Sequence, residues 1–139
     1  MISPASRLAD DCRGTAAVEF ALIGPMLCAL LLGTAVYGGY FTLANEVQQL
    51  ANDSARAALA GLSADERRSL ASQTMTSALP SYVMVDPDHV RLDYAESGGE
   101  MRVAVTYDGG QNPLWAFSQL IPMPSNQLRR SAAVHLGGF

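Results

Sequence analysis

Arg13-Gly14-Thr15-Ala16-Ala17-Val18-Glu19-Phe20 is the stretch that decides the fold, because of the run that it opens. From Phe20 to Asn45 the chain holds no Asp, Glu, Lys or Arg. That is about 26 residues, whereas about 20 suffice, at about 1.5 Å each, to cross a hydrocarbon core about 30 Å thick. A soluble core helix of this length would show a polar face, and none appears before Glu46. The run therefore predicts a transmembrane helix. Glu19 stands at its edge, where an unpaired carboxylate is costly and as a rule has a partner and a task.

Within the run, Ala17, Ala21, Pro25, Ala29 and Gly33 recur every fourth residue. Small residues at that spacing let a second helix approach closely, so that dispersion holds the pair. The other reading is that Ala and Gly are simply frequent in membrane helices. Ala35 and Gly39 extend a second such pair. Pro25 removes one helix hydrogen bond and predicts a local bend. Tyr37 and Tyr40 suit the outer interface. Arg7 and Arg13 precede the run, while Glu46 and Asp53 come before Arg56 on the far side, so the positive-inside rule predicts N-terminus in and bulk out.

Residues 1–14 are short, polar and mixed in charge, and read as a disordered leader. A conventional signal peptide cleaved near Ala44 is the alternative, but the apolar run far exceeds an h-region of about 7 to 15 residues. Cys12 follows Ala9-Asp10-Asp11, which lacks the small, apolar residues of a lipoprotein signal.

The sequence has 139 residues and a net charge of −4, and all nine basic residues are arginine. Its acidic balance and lack of a basic patch give no electrostatic footprint for nucleic acid. Leader and span leave a small outer domain, whose core must be correspondingly modest. Two cysteines, Cys12 and Cys28, fall in the leader and the span, so the outer domain has no disulfide framework.

Beyond the span, Val47, Leu50, Ala51, Ala55, Ala58 and Leu59 recur at helical steps, opposite Glu46, Gln49, Asp53 and Arg56. The helix is expected to continue as an amphipathic extension, with Gly61 as its stop. Ser63-Ala64-Asp65-Glu66 has the form of a capping box opening a second helix through about Ala78, ended by Pro80. The period then becomes two. Val90, Leu92 and Tyr94 alternate with Arg91 and Asp93, and Met101, Val103, Val105 and Tyr107 alternate with Arg102, Ala104 and Thr106, around a turn at Ser97-Gly98-Gly99. Asp108 to Pro113 reads as a loop, and Leu114 to Leu120 as an apolar stretch of undecided state. Gln127 to Leu136 reads as a third strand ending in Gly137-Gly138. The expected class is α+β, with an antiparallel sheet of about three strands. The expected segments are a leader (1–14), a helix with its extension (15–61) and an extracytoplasmic domain (62–139).

No catalytic constellation emerges. His89 and His135 are expected on separate strands, without Cys or His at metal-ligand spacing. Asp86-Pro87-Asp88 reads as a turn, and no calcium-loop spacing follows. Phosphate loops, dinucleotide fingerprints and nucleophile elbows are missing, so no cofactor, metal or enzymatic activity is expected. Trp115 and Phe117 beside Pro113 either complete the small core or form an exposed docking edge.

Gly14 followed by four residues, then Glu19 and Phe20 and a long apolar helix, resembles the processing site of type IV pilins. More closely, Arg13-Gly14-x-Ala16-Ala17-Val18-Glu19-Phe20-Ala21-Leu22-Ile23-x-Pro25 resembles the start of the TadE-like pseudopilins of the tight-adherence (Flp-type) pilus system. The resemblance covers about residues 13 to 45. It implies a prepilin peptidase that cuts after Gly14, leaving Thr15 as the mature N-terminus and Glu19 as its fifth residue. It also implies that Glu19 pairs with the free amine of Thr15 on a neighbouring subunit. Phe20 stands where the major pilins of this system usually carry Tyr, which favours a pseudopilin over the main subunit. The implied partners are other pseudopilins or pilins of the same system and its assembly platform, at the bacterial inner membrane. Two other readings stay open. One is an unprocessed single-pass anchor with a periplasmic protein-binding domain, and the other is a secreted binding protein released near Ala44.

Overall fold

The structure, a computed structural model, describes residues 12–137. Most of the expected leader, including Arg7, Asp10 and Asp11, lies outside the described residues, as does Gly138. The fold is mixed α+β: helix α1 (Cys12–Ala58), helix α2 (Ala64–Ala78), and strands β1 (Val90–Ser97), β2 (Glu100–Asp108) and β3 (Gln127–His135), with short 3-10 turns between. The chain divides into two units, a first that ends at Tyr37 and a second that begins at Gly38. α1 belongs in part to each.

In the first unit most of α1 is bare, Val36 near the unit's end being the buried exception. Val18, Phe20, Leu22, Ile23, Met26, Leu27, Leu30 and Leu31 each keep more than half of their surface exposed. Among the described residues α1 is the one helix long and apolar enough to cross a membrane. Ala17, Ala21, Pro25, Ala29 and Gly33 form a row along α1. At 3.6 residues per turn each step of four advances about 40°, so Ala17 to Gly33 wind through about 160°. Such a row is inclined to the helix axis, and rows of this kind pack across one another at an angle.

In the second unit the same helix acquires an inside and an outside. Leu43, Val47, Leu50, Ala51, Ala55 and Ala58 are buried, while Gln49, Asp53 and Arg56 are exposed. Leu59, expected on the apolar face, is exposed, because the last turn tightens with Leu59 and Ala60 donating three residues back, to Arg56 and Ala57. Gly61 is required by close approach rather than by its backbone angles. A Cβ there would stand 2.7 Å from the backbone nitrogen of Arg67, so the glycine lets α2 fold back against the end of α1. Ser63 caps α2 as expected, its Oγ accepting from Glu66 N at 3.3 Å, while Glu66 Oε2 accepts from Leu62 N at 2.8 Å, one residue before the N–H that a capping box would use.

The sheet has the order β1-β2-β3, antiparallel throughout. Gly98 and Gly99 form the two-residue turn of the first hairpin with φ of +60° and +77°, a left-handed pair that glycine adopts without strain. The register aligns Val90-Tyr107-Leu128 and Tyr94-Val103-Ala132 across the three strands on the face turned to the helices. Leu43, Val47 and Leu50 pack with Val105, Tyr107 and Leu128, while Ala55, Ala58 and Ala71 pack with Met101 and Val103. Arg91, Asp93, Arg102 and Arg129 take the opposite, exposed face. Pro113–Gln119, undecided from sequence, is a 3-10 segment capped by Asn112 Oδ1, which accepts from Leu114 N at 3.1 Å. His89 closes the 3-10 turn Pro87–His89 ahead of β1, not on the strand expected for it, because Pro87 fixes the turn and Asp86 Oδ1 accepts from Asp88 N.

Candidate assembly and processing site

The residues singled out by spacing all lie on α1 in the first unit. Gly14 is already helical, and Gly14, Thr15, Ala17, Glu19, Phe20, Ala21, Pro25 and Ala29 are exposed, with Gly33 half-buried. Thr15 and Glu19, four apart, share one face one turn apart. The Phe20 ring leans toward Gly24, where an added Cβ would meet it at 3.8 Å. The first turn of α1 holds no acidic residue, so Glu19 is the first carboxylate along the helix. Among the described residues none pairs with it. A carboxylate with an apolar helix ahead of it is costly to leave unpaired in a membrane.

A cut between Gly14 and Thr15 would create an ammonium at the positive end of the helix dipole, an unfavourable place for it. Glu19 lies one turn along, where its charge would oppose that of such an amine. Gly14 also makes the first turn cheap to open, since glycine lowers helix stability by about 1 kcal/mol relative to alanine.

The second unit offers surfaces of a different kind. A cleft of about 370 Å³ is lined by Asp86, His89, Tyr107, Asp108 and Asn112 among others, and its lining contains no serine, threonine, cysteine or lysine. His89 Nδ1 lies 3.3 Å from Asp86 Oδ2, and Asn112 Nδ2 donates to Met84 O and to Tyr107 Oη, so these groups are engaged in holding loops together. Among the described residues, no three of His, Cys, Asp and Glu are placed to hold a metal ion.

Two features escaped the sequence reading. Gly39, taken there as part of a small-residue pair for a second helix, is covered from within the second unit: a Cβ on it would fall 2.8 Å from Leu114 Cδ2. Trp115 packs against the core cluster with its ring 6.2 Å from that of Tyr40, in edge contact, while its indole N–H donates to Pro124 O at 3.1 Å. Phe117, the other aromatic left open, stays exposed at 36%. The signal available for both was the glycine facing a loop leucine, and only the folded chain pairs them.

Comparison with known proteins bears on the same segment. No curated protein and no solved structure matches the chain. The family model described as TadE-like protein matches residues 14–56, a span that begins at Gly14 and ends in the last turn of α1. Over those residues, which carry the glycine, the glutamate and the whole apolar run, the chain is similar to the TadE-like family.

Proposed function

We propose that the chain is a non-enzymatic pseudopilin that takes part in assembling a tight-adherence pilus after cleavage behind Gly14 by a prepilin peptidase. The observation that carries this reading is the Gly14-to-Glu19 spacing at the head of an exposed apolar helix, within the segment that the TadE-like family model matches. In this reading α1 sits in the inner membrane with residues 62–139 outside. Glu19 pairs with the amine of Thr15 on a neighbouring subunit. That pairing offsets the cost of two charges in an apolar bundle and fixes the axial register between helices. Ala17, Ala21, Pro25, Ala29 and Gly33 give the neighbouring helix its close approach.

One observation favours a second reading. α1 is helical from Cys12, so the Gly14–Thr15 bond lies inside a helix rather than in an extended segment. A chain left uncut would be a single-pass anchor with a periplasmic binding domain.

Intact-mass measurement with N-terminal sequencing, on protein from membranes of its native host, separates the readings. A chain that starts at Thr15 is the expected result. One that starts at Met1 establishes the anchor, and one that starts near Asn45 overturns the membrane-assembly role altogether.

A further inference from the structure

We infer that the second unit binds the outer leaflet of the membrane through an apolar patch on the Pro113–Gln119 segment. The inference rests on the reading of α1 as a membrane span. From Glu19, about 20 residues at about 1.5 Å carry the helix across about 30 Å of hydrocarbon, which brings it to the level of Gly39 and Tyr40. At that level the loop segment is fastened to α1. Leu114 lies over Gly39, closer than any side chain there would permit, and Trp115 stacks edge-on against Tyr40. A second glycine completes the seat, since a Cβ on Gly109 would stand 2.6 Å from the Trp115 ring.

What this segment presents to its surroundings is apolar. Phe117 and Leu120 are 36% and 75% exposed, Val83 is 93% exposed, and Phe41 on α1 is 62% exposed. Val83, Leu114 and Phe117 line one shallow groove. From Gly109 to Leu128 the chain has no Asp, Glu, Lys or Arg, although charged residues are spread through β1, β2 and β3 on either side. The Trp115 N–H is satisfied within the loop and asks nothing of water. Exposed apolar side chains on a charge-free loop, held at the level where the span ends, match the requirements of a bilayer interface. The protein is acidic, so apolar burial rather than attraction to anionic headgroups drives the contact.

The single tryptophan makes the test direct. In a Trp115→Phe background, the full chain carries either Leu120→Trp or Leu62→Trp, the latter 91% exposed beyond the far end of α1. Each is reconstituted into phosphatidylcholine vesicles bearing headgroup spin labels, at high lipid excess. Co-flotation with the vesicles tests the span separately. The expected result is that Trp at 120 emits to the blue and loses more than half its intensity to the spin label, while Trp at 62 does neither. Equal behaviour at the two positions in floating protein overturns the inference and leaves the membrane reading standing. Failure to float overturns both. Quenching and blue shift that appear only as protein is crowded in the membrane assign the patch to a second copy of the chain, which also overturns it. Should Trp115→Phe disturb the fold, native Trp115 serves instead: quenching by the labelled lipid supports the inference, and quenching by aqueous iodide alone defeats it.

Discussion

The two units use one helix in opposite ways. Up to Tyr37, α1 exposes nearly every large side chain that it has, and from Leu43 to Ala58 it buries eight residues, most of them against a sheet and a second helix. The backbone is α-helical in both. The difference is whether the polar residues fall on one side. Glu46, Gln49, Asp53 and Arg56 give the second stretch an outside, so the remaining face has a defined inside to bury. The first stretch has no polar side and so no inside within its own chain. Its burial must come from lipid or from other helices. One half of α1 is therefore finished by folding, and the other only by surroundings.

The largest consequence concerns Glu19. Glu19→Ala should leave insertion, cleavage and the unfolding of the second unit unchanged, yet abolish co-assembly with partner pseudopilins, scored by co-purification from membranes. Normal assembly of that variant would break the contrast, since Glu19 would then have no work outside its own chain.

The next concerns packing. Leu50 is wholly buried, so Leu50→Ala should cost the second unit about 3 kcal/mol in urea unfolding of the full chain in detergent. Leu27→Ala, in the bare stretch, should leave the urea midpoint where it was. Equal losses would mean that the two halves of α1 are not energetically separate.

Smaller, and opposite in sign, is the effect at Ser54. Its side chain is fully buried on the apolar face of α1, and its hydroxyl has no hydrogen-bond partner among the described residues. A buried, unsatisfied hydroxyl costs about 1 to 3 kcal/mol, so Ser54→Ala should raise stability by about 1 kcal/mol in the same unfolding experiment. A loss of stability would show that the hydroxyl is satisfied in solution.

Much of this architecture was legible because it is written in local chemistry. Ser63 to Glu66, Gly98-Gly99 and the alternation from Val90 to Tyr107 each specify a backbone geometry within a few residues, and each appears where expected. The Pro113–Gln119 segment left no such mark, because a 3-10 turn has neither the helical nor the strand period. Leu59 was misplaced because periodicity predicts a face and not where the last turn tightens. Gly39 was misread because its occupant, Leu114, lies far along the chain. At the head of α1 the sequence carries more than the folded chain does. Gly14 and Glu19 are distinguished by their spacing.

The smallest expected effect lies at the junction of α1 with the segment after α2. Burial raises the Tyr82 pKa above its usual value near 10, reinforced by the charge of Asp53, its hydrogen bond to the phenol, and then Glu46. The phenol donates to Asp53 Oδ2 at 3.4 Å, and deprotonation would set two negative groups against each other. The sign follows from linkage. Above pH 10 the unfolded chain gives up the proton first, so it binds fewer protons than the native state and stability falls with rising pH. The contribution is complete below the unfolded pKa and is lost as pH passes the native one. Tyr82→Phe should therefore flatten the alkaline decline of the urea midpoint while changing little at neutral pH. Tyr94 is raised as well, by burial and by its bond to Glu96, so part of the decline should survive in that variant. A slope unaltered by Tyr82→Phe would place the whole alkaline sensitivity at Tyr94 and its neighbours on the sheet, leaving the contact between Tyr82 and α1 without electrostatic consequence.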